Sequence, residues 1–313
     1  MRLRAEHIIL FGILTGCAAG EPDEAVVSDA SPRQVQIDAD VVYGHKFGMA
    51  LTFDVYQPAE PNGAGVIIIV NYGGYSTFHT EEDGQYRLLD DSELSPFQFS
   101  AQLLVENGFT VFNLRHGSSP KFVLPEIVAD VRRAVRVIRD VAPDYGVNPE
   151  RLGLWGGSAG GHLSLLLGAS PEIGPQDAVD GNAPIEARVA AVVAYYPPSD
   201  LEAHRVEAAR FTSEVLGQEL LTVLPALDYP LEQDRELSPV HYATADDPPT
   251  LIIHGDQDPI VLLSQGQLMY DALLEAGATS ELIVVEGAGH GFEGEDIDLG
   301  LAQSLAWFQR YLQ

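Results

Sequence analysis

One cysteine, Cys17, stands among the 313 residues. No disulfide can form within such a chain, so its stability has to come from packing. The same scarcity excludes a cysteine-rich zinc site. No H-E-x-x-H occurs either, and neither a metal nor any other cofactor is expected. Basic residues are also few: 17 Lys and Arg face 46 Asp and Glu, for a formal net charge of −29. Nucleic-acid affinity rests on Lys and Arg neutralising phosphates, so no nucleic-acid partner is expected. Long apolar runs are missing too, and no stretch approaches the roughly 20 apolar residues that span a bilayer.

What is present begins with a secretory pattern. In "MRLRAEHIILFGILTGC" two arginines precede the apolar run Ile8–Leu14, as in a signal peptide. The ending Leu14-Thr15-Gly16-Cys17 resembles the lipobox of bacterial lipoproteins. That resemblance implies removal of residues 1–16, lipidation of Cys17, and an exported protein anchored to the bacterial cell envelope. Residues 17–34 are small, acidic and proline-bearing, the composition of a flexible tether.

From residue 35 to 313 the pattern is regular and reads as one domain. "VQIDADVVY" and "ALTFDVY" alternate apolar and polar residues around "GHKFG", which predicts an antiparallel hairpin. "VIIIV" (66–70), "FTVFNL" (109–114), "RLGLW", "RVAAVVAYY", "TLIIHG" and "SELIVV" read as strands, the most apolar of them covered on both faces. Helical stretches fall between them, at about 96–106, 125–140, 159–169, 264–276 and 300–312. In the second of these, four arginines lie opposite the apolar face and read as solvated. Strands alternating with helices predict an α/β fold with a mostly parallel sheet flanked by helices. Residues 200–247 break the rhythm with prolines and short helical pieces, as a small lid-like insertion would.

The stretch "LWGGSAGGH" (154–162) places glycines on both sides of one serine. A phosphate-cradling loop would need G-x-x-x-x-G-K-[ST]. Gly156 and Gly161 have that spacing, but His162 and Leu163 stand where the lysine and hydroxyl belong. Gly156 to Gly160 instead fits G-x-S-x-G, with a strand before it and a helix after it. A turn of that kind lifts Ser158 above the sheet as a nucleophile. A serine needs a base, and in this architecture the order is Ser, acid, His. His290, in "EGAGHGF", is the only histidine beyond the penultimate strand. The acid belongs just after "TLIIHG", where Asp256 and Asp258 compete. Asp258, ahead of Pro259-Ile260-Val261, resembles the "D-x-x-V" ending that follows the catalytic acid in such enzymes and is the choice, and Asp256 reads as a turn cap. An oxyanion hole would use the N–H of Ala159 and the loop "NYGGYSTF", where Gly73 and Gly74 permit close approach. Tyr75, Phe78, Tyr195 and Tyr196 fall near strand ends, where the choice is between lining the acyl or alcohol pocket and core packing, and core packing is the reading taken.

Taken together, "NYGGY", "WGGSAGGH", "HGDQDPIV" and "GAGHGF" resemble the α/β-hydrolase fold over about 35–313. Within it they resemble the esterase and lipase group that includes hormone-sensitive-lipase-like and feruloyl-esterase-like proteins. That resemblance implies a serine carboxylesterase acting on small-acyl esters, such as acetyl or feruloyl esters of polysaccharides. Two departures stand out. Tyr72 occupies the place of the usual histidine in the oxyanion loop, and "RHGSSPKF" replaces the tyrosine-containing "Y-R-L-A-P-E". Two other readings share these residues: a serine peptidase of the prolyl-oligopeptidase kind, and a non-catalytic surface binding protein. Oligomeric state is not legible in the sequence.

Overall fold

Alternation of side chains across an apolar strand fixes which helix each residue meets, and the first strands show this directly. The computed structural model describes residues 35–69, 101–170 and 187–313, and the backbone of 79–82 and 85–88. Strands β1 (Gln36–Lys46) and β2 (Met49–Gln57) form the antiparallel hairpin. The turn between them is tighter than the five-residue loop expected. Gly44, His45 and Lys46 continue the strand, and Phe47 and Gly48 make the turn with φ of 48° and 79°. Positive φ at both central residues matches the right-handed twist of the flanking strands, which favours a two-residue connection.

The chain continues through β3 (Gly65–Ile69), a separate ribbon of β4 (His79–Glu82) and β5 (Gln85–Leu88), helix α1 (Ala101–Glu106), β6 (Thr110–Leu114) and α2 (Leu124–Val141). Next come β7 (Leu152–Gly157), α3 (Ala159–Ala169), β8 (Ala191–Tyr195), α4 (Leu201–Phe211) and α5 (Leu220–Val223). The series ends with β9 (Thr250–Gly255), α6 (Leu263–Ala276), β10 (Ser280–Val285) and α7 (Glu295–Tyr311). Eight strands form the main sheet in the order β1-β2-β6-β3-β7-β8-β9-β10. The six strands from β6 to β10 in that order run parallel, and β1 and β2 complete one edge antiparallel. This is the α/β-hydrolase arrangement, and Ser158, Asp258 and His290 follow the strands β7, β9 and β10.

Both faces of the sheet are covered. Ile67, Leu154, Val192 and Ile252 pack with Val131, Leu163 and Met269 on the side of α2, α3 and α6. Val66, Ile68, Trp155, Val193 and Ile253 pack with Leu104, Trp307 and Phe308 on the side of α1 and α7. Fully burying each such side chain contributes about 1.5–3 kcal/mol, so the two layers carry most of the fold. The arginine face of α2 is not simply solvated. Arg139 donates to the carbonyls of Pro149 and Arg188 at 2.6 and 2.7 Å and pairs with Glu150, while Arg132 reaches the Ser170 carbonyl. The helix thereby grips the chain entering β7 and β8, an interaction between distant residues that helical periodicity cannot reveal.

The stretch between β8 and β9 is built from α4, a π-type turn (Thr212–Leu216), α5 and four short 3-10 turns ending at Pro239–Tyr242. Leu201, Ala226, Leu227 and Leu237 join it to the core, and polar bonds hold its own pieces together. Arg205 binds Asp234 through two nitrogens at 2.8 and 2.9 Å, donates to the Leu227 carbonyl and lies 4.8 Å from the Tyr229 ring centroid. The Ser238 hydroxyl donates to the Asp234 carbonyl and accepts the N–H of Leu201.

Candidate active site

In a parallel sheet the loops beyond the carboxyl ends of the strands come together, so residues far apart in sequence meet there. Ser158 follows β7 directly and precedes α3. Its backbone lies at φ 53° and ψ −118°, a region that costs a non-glycine residue about 1–3 kcal/mol. Neighbours hold it there. The Ser158 N–H donates to the Tyr195 carbonyl at 2.9 Å, and the Ser158 carbonyl accepts the N–H of His162. Gly156 is required by space, because a Cβ at that position would collide with the backbone of Gly160. Ala159 occupies the first position of α3, where a backbone N–H has no carbonyl to bond inside the helix. That N–H and the helix N-terminus favour negative charge beside Ser158.

The other two chosen residues converge on this turn. His290 Nε2 lies 3.0 Å from Ser158 Oγ, and His290 Nδ1 lies 2.7 Å from Asp258 Oδ2. Asp258 is buried, and its second oxygen accepts the N–H groups of Ile260 and Val261 at 2.9 and 3.0 Å. With those bonds made, one oxygen is left to face the imidazole. Asp256 does not join the group; it accepts the Gly287 N–H at 2.7 Å and so ties the acid loop to the histidine loop. Gly255 serves the same junction, since a Cβ there would strike the Ala288 carbonyl.

A second histidine, His254, lies beneath the acid. Its Nε2 is 2.8 Å from the Val261 carbonyl and 3.5 Å from Asp258 Oδ2. Burial alone would raise the Asp258 carboxyl. Hydrogen bonds from His254 and His290, the charge of His290 and the Val261 N–H outweigh it and hold the group well below the usual carboxylate range. Asp258 is therefore an anion at neutral pH, fit to orient an imidazole and to balance a proton that arrives on it.

Three further residues surround the relay. His162, four residues after the serine, is fully buried with Nε2 2.7 Å from the Leu237 carbonyl. Burial lowers it to about 4, against the opposing effect of that hydrogen bond. His204 on α4 is also lowered to about 4, first by burial and then by the nearby charges of His162 and His290. Both are neutral at pH 7 and add no positive charge near the serine. Tyr196 packs its ring 4.6 Å from that of His290, between centroids. It reads as core from sequence and is indeed 3% exposed, but the core residue it touches is the relay histidine. Gly73, Gly74 and Tyr72 of the expected oxyanion loop lie outside the described residues, as does Cys17.

The chemistry available here is nucleophilic. A hydroxyl, an imidazole and an ionised carboxylate form one hydrogen-bonded series, and the serine oxygen stands at a helix N-terminus. Among the described residues, no group of three or more His, Cys, Asp or Glu could hold a metal ion.

The chain is similar to several known proteins. Esterase LipQ of Mycobacterium tuberculosis is 29% identical over 270 residues, covering 82% of this chain and 57% of that protein. An acetylxylan esterase of Xylanibacter ruminicola is 26% identical over 238 residues, covering 76% and 42%. The chain thus spans about half the length of the curated relatives it matches. Among solved structures, a truncated form of a carbohydrate esterase from gut microbiota superposes with a TM-score of 0.64 at 23% identity, covering 90% of this chain and 99% of that one. That likeness is one of fold. The BD-FAE family model matches residues 53–273, from the second strand of the hairpin to the helix after the acid loop. With the nucleophile turn and the acid loop inside the matched span, the chain belongs to the BD-FAE family.

Proposed function

We propose that the chain is a serine carboxylesterase. The observation that carries this reading is the unbroken series from Ser158 through His290 to Asp258, at 3.0 and 2.7 Å. Ser158 Oγ attacks the acyl carbon while His290 Nε2 takes its proton. Asp258 keeps the imidazole in the tautomer whose Nε2 is free and balances the imidazolium once it forms. The carbonyl oxygen becomes an oxyanion, which receives the Ala159 N–H and an N–H from the Gly73–Gly74 loop. Two such donors are worth several kcal/mol. The tetrahedral species collapses, His290 returns its proton to the alcohol, and the alcohol leaves an acyl-serine. Water, deprotonated by the same imidazole, then releases the acid.

The acyl group we assign is small, and the alcohol is a polysaccharide hydroxyl, with acetyl and feruloyl esters as the named candidates. Support for the carbohydrate side comes from the acetylxylan esterase relative. The lipobox-like Leu14–Cys17 supports export and lipid anchoring at Cys17. A Cys17→Ala protein that stays with the membrane fraction would contradict the anchor.

The test is turnover of p-nitrophenyl acetate, acetylated xylan and feruloyl esters by the wild type and by Ser158→Ala. We expect hydrolysis by the wild type and a loss of about 10⁴-fold or more in the variant. Equal inertness of both proteins across all short esters would overturn the reading, as would equal activity.

A further inference from the structure

Four non-glycine residues have positive φ among those described: Asp40, Phe47, Ser158 and Tyr196. The last two stand at the carboxyl ends of neighbouring strands, β7 and β8, and they are joined. The carbonyl of Tyr195, in the peptide that leads into Tyr196, accepts the Ser158 N–H at 2.9 Å. The Tyr196 N–H donates to the Ile253 carbonyl on β9 at 2.8 Å. A tyrosine at φ 37° is strained, and such strain persists only where the surroundings over-determine it. The peptide that joins Tyr195 to Tyr196 thus reaches both neighbouring strands, with its carbonyl on the nucleophile turn and its N–H on the strand that leads to Asp258.

The ring of the same residue faces the relay histidine. Tyr196 leaves the sheet with its ring 4.6 Å from the His290 imidazole at an interplanar angle of 58°, and 5.2 Å from Phe292 at 84°. His290 and Phe292 alternate with Gly289 and Gly291, so the loop that carries the imidazole has little rigidity of its own. Its hydrogen bonds to Asp258 and Ser158 fix the imidazole at two ring nitrogens. Rotation about the axis joining those nitrogens bends both bonds, and the Tyr196 ring packed against the imidazole adds a second, steric resistance to it. The adjacent Tyr195 does different work, its hydroxyl 2.8 Å from the Ser304 hydroxyl of α7.

We propose that Tyr196 is the positioning residue of the relay: its backbone N–H anchors to β9 the peptide whose Tyr195 carbonyl holds the Ser158 turn, and its ring holds the His290 imidazole in the plane that serves both partners. The proposal rests on the esterase reading for its kinetic arm and on geometry alone for its spectroscopic arm. The ring, not the hydroxyl, does the work, which separates two variants. Tyr196→Phe keeps the flat ring; Tyr196→Leu keeps apolar volume and removes it.

With p-nitrophenyl acetate, we expect Tyr196→Phe to stay within a few-fold of wild type. Tyr196→Leu should lose about 100-fold in kcat, the scale of an ångström-sized misplacement, with KM nearly unchanged. In proton NMR, the low-field resonance of the His290 Nδ1 proton facing Asp258 should be sharp in wild type and Tyr196→Phe, and broadened or absent in Tyr196→Leu. A Tyr196→Leu protein with wild-type kcat and an intact resonance overturns the proposal. So does a Tyr196→Phe protein as impaired as Tyr196→Leu, because the hydroxyl would then be the acting group. Should Tyr196→Leu fail to fold, Tyr196→Met, flexible and lacking a flat face, carries the same test. If the wild type hydrolyses no ester, the esterase reading fails, and the resonance still decides the positioning role.

Discussion

Asp258 and Asp234 are both buried carboxylates, at 4% and 2% exposure, yet one faces an imidazole and the other a guanidinium. Asp234 meets Arg205 through two parallel hydrogen bonds. Arginine stays protonated at any pH the fold survives, so that pair can hold the insertion but cannot move a proton. Asp258 meets His290, whose ring can take a proton on one nitrogen while the other remains bonded. Backbone donors from Ile260 and Val261 saturate the second oxygen of Asp258 and keep it charged without a fixed cation. The difference is chemical: a carboxylate becomes part of a reaction when its partner can change charge, and part of a scaffold when it cannot.

The comparison predicts a split between activity and stability. Asp258→Asn keeps the shape of the acid while favouring the wrong imidazole tautomer, so kcat should fall by about 10⁴-fold in protein that remains folded. A variant that melted early and kept its turnover would reverse the assignment. Asp234→Ala leaves Arg205 buried without its partner, so unfolding free energy should fall by about 3–5 kcal/mol in urea titration. Wherever that variant is folded, ester hydrolysis should remain within an order of magnitude of wild type.

Acid supplies the third test. His162 and His204 have folded values of about 4, below the value of 6.5 for a free histidine. Between those limits the unfolded chain binds more protons than the folded one. Stability should therefore fall as pH drops from about 6.5 to about 4, and each histidine contributes at most about 3 kcal/mol to that loss. Asp258, whose folded value is depressed, keeps its contribution through this window and loses it only at still lower pH, as it protonates in the folded state. Chemical denaturation at a series of pH values should show the first slope flatten in His162→Gln. A slope unchanged in that variant would remove His162 from the account. The smallest effect is expected from Arg205→Lys. It keeps the charge but loses the two-pronged geometry, and should cost about 1–2 kcal/mol without touching kcat.

How much of this was legible in the sequence depends on how locally each feature is encoded. Ser158 was legible because its turn is specified within five residues, by glycines at the positions where a side chain would strike backbone. The loops that carry Asp258 and His290 follow from strand order, while Asp258 itself is picked out by the resemblance of its Pro259-Ile260-Val261 ending. The competing Asp256 could be set aside from sequence, but its bond to Gly287 requires knowing that the two loops touch. Tyr196 reads as packing from sequence because a tyrosine at positive φ leaves no mark in a single sequence. Arg205 and Asp234 are 29 residues apart in a stretch without periodicity, so nothing local pairs them. Arg139 was misplaced for a related reason: helical spacing shows which face a residue lies on, and not what the rest of the chain brings to that face.

The most direct measurement is covalent. An organophosphate carrying a p-nitrophenyl leaving group should phosphorylate the attacking oxygen and release one nitrophenolate per chain, with peptide mass spectrometry locating the adduct. The account predicts a single adduct on Ser158, formed in step with the loss of ester hydrolysis and absent in His290→Ala over the same time. Full inactivation with Ser158 unmodified, or full hydrolysis with Ser158 modified, would contradict it.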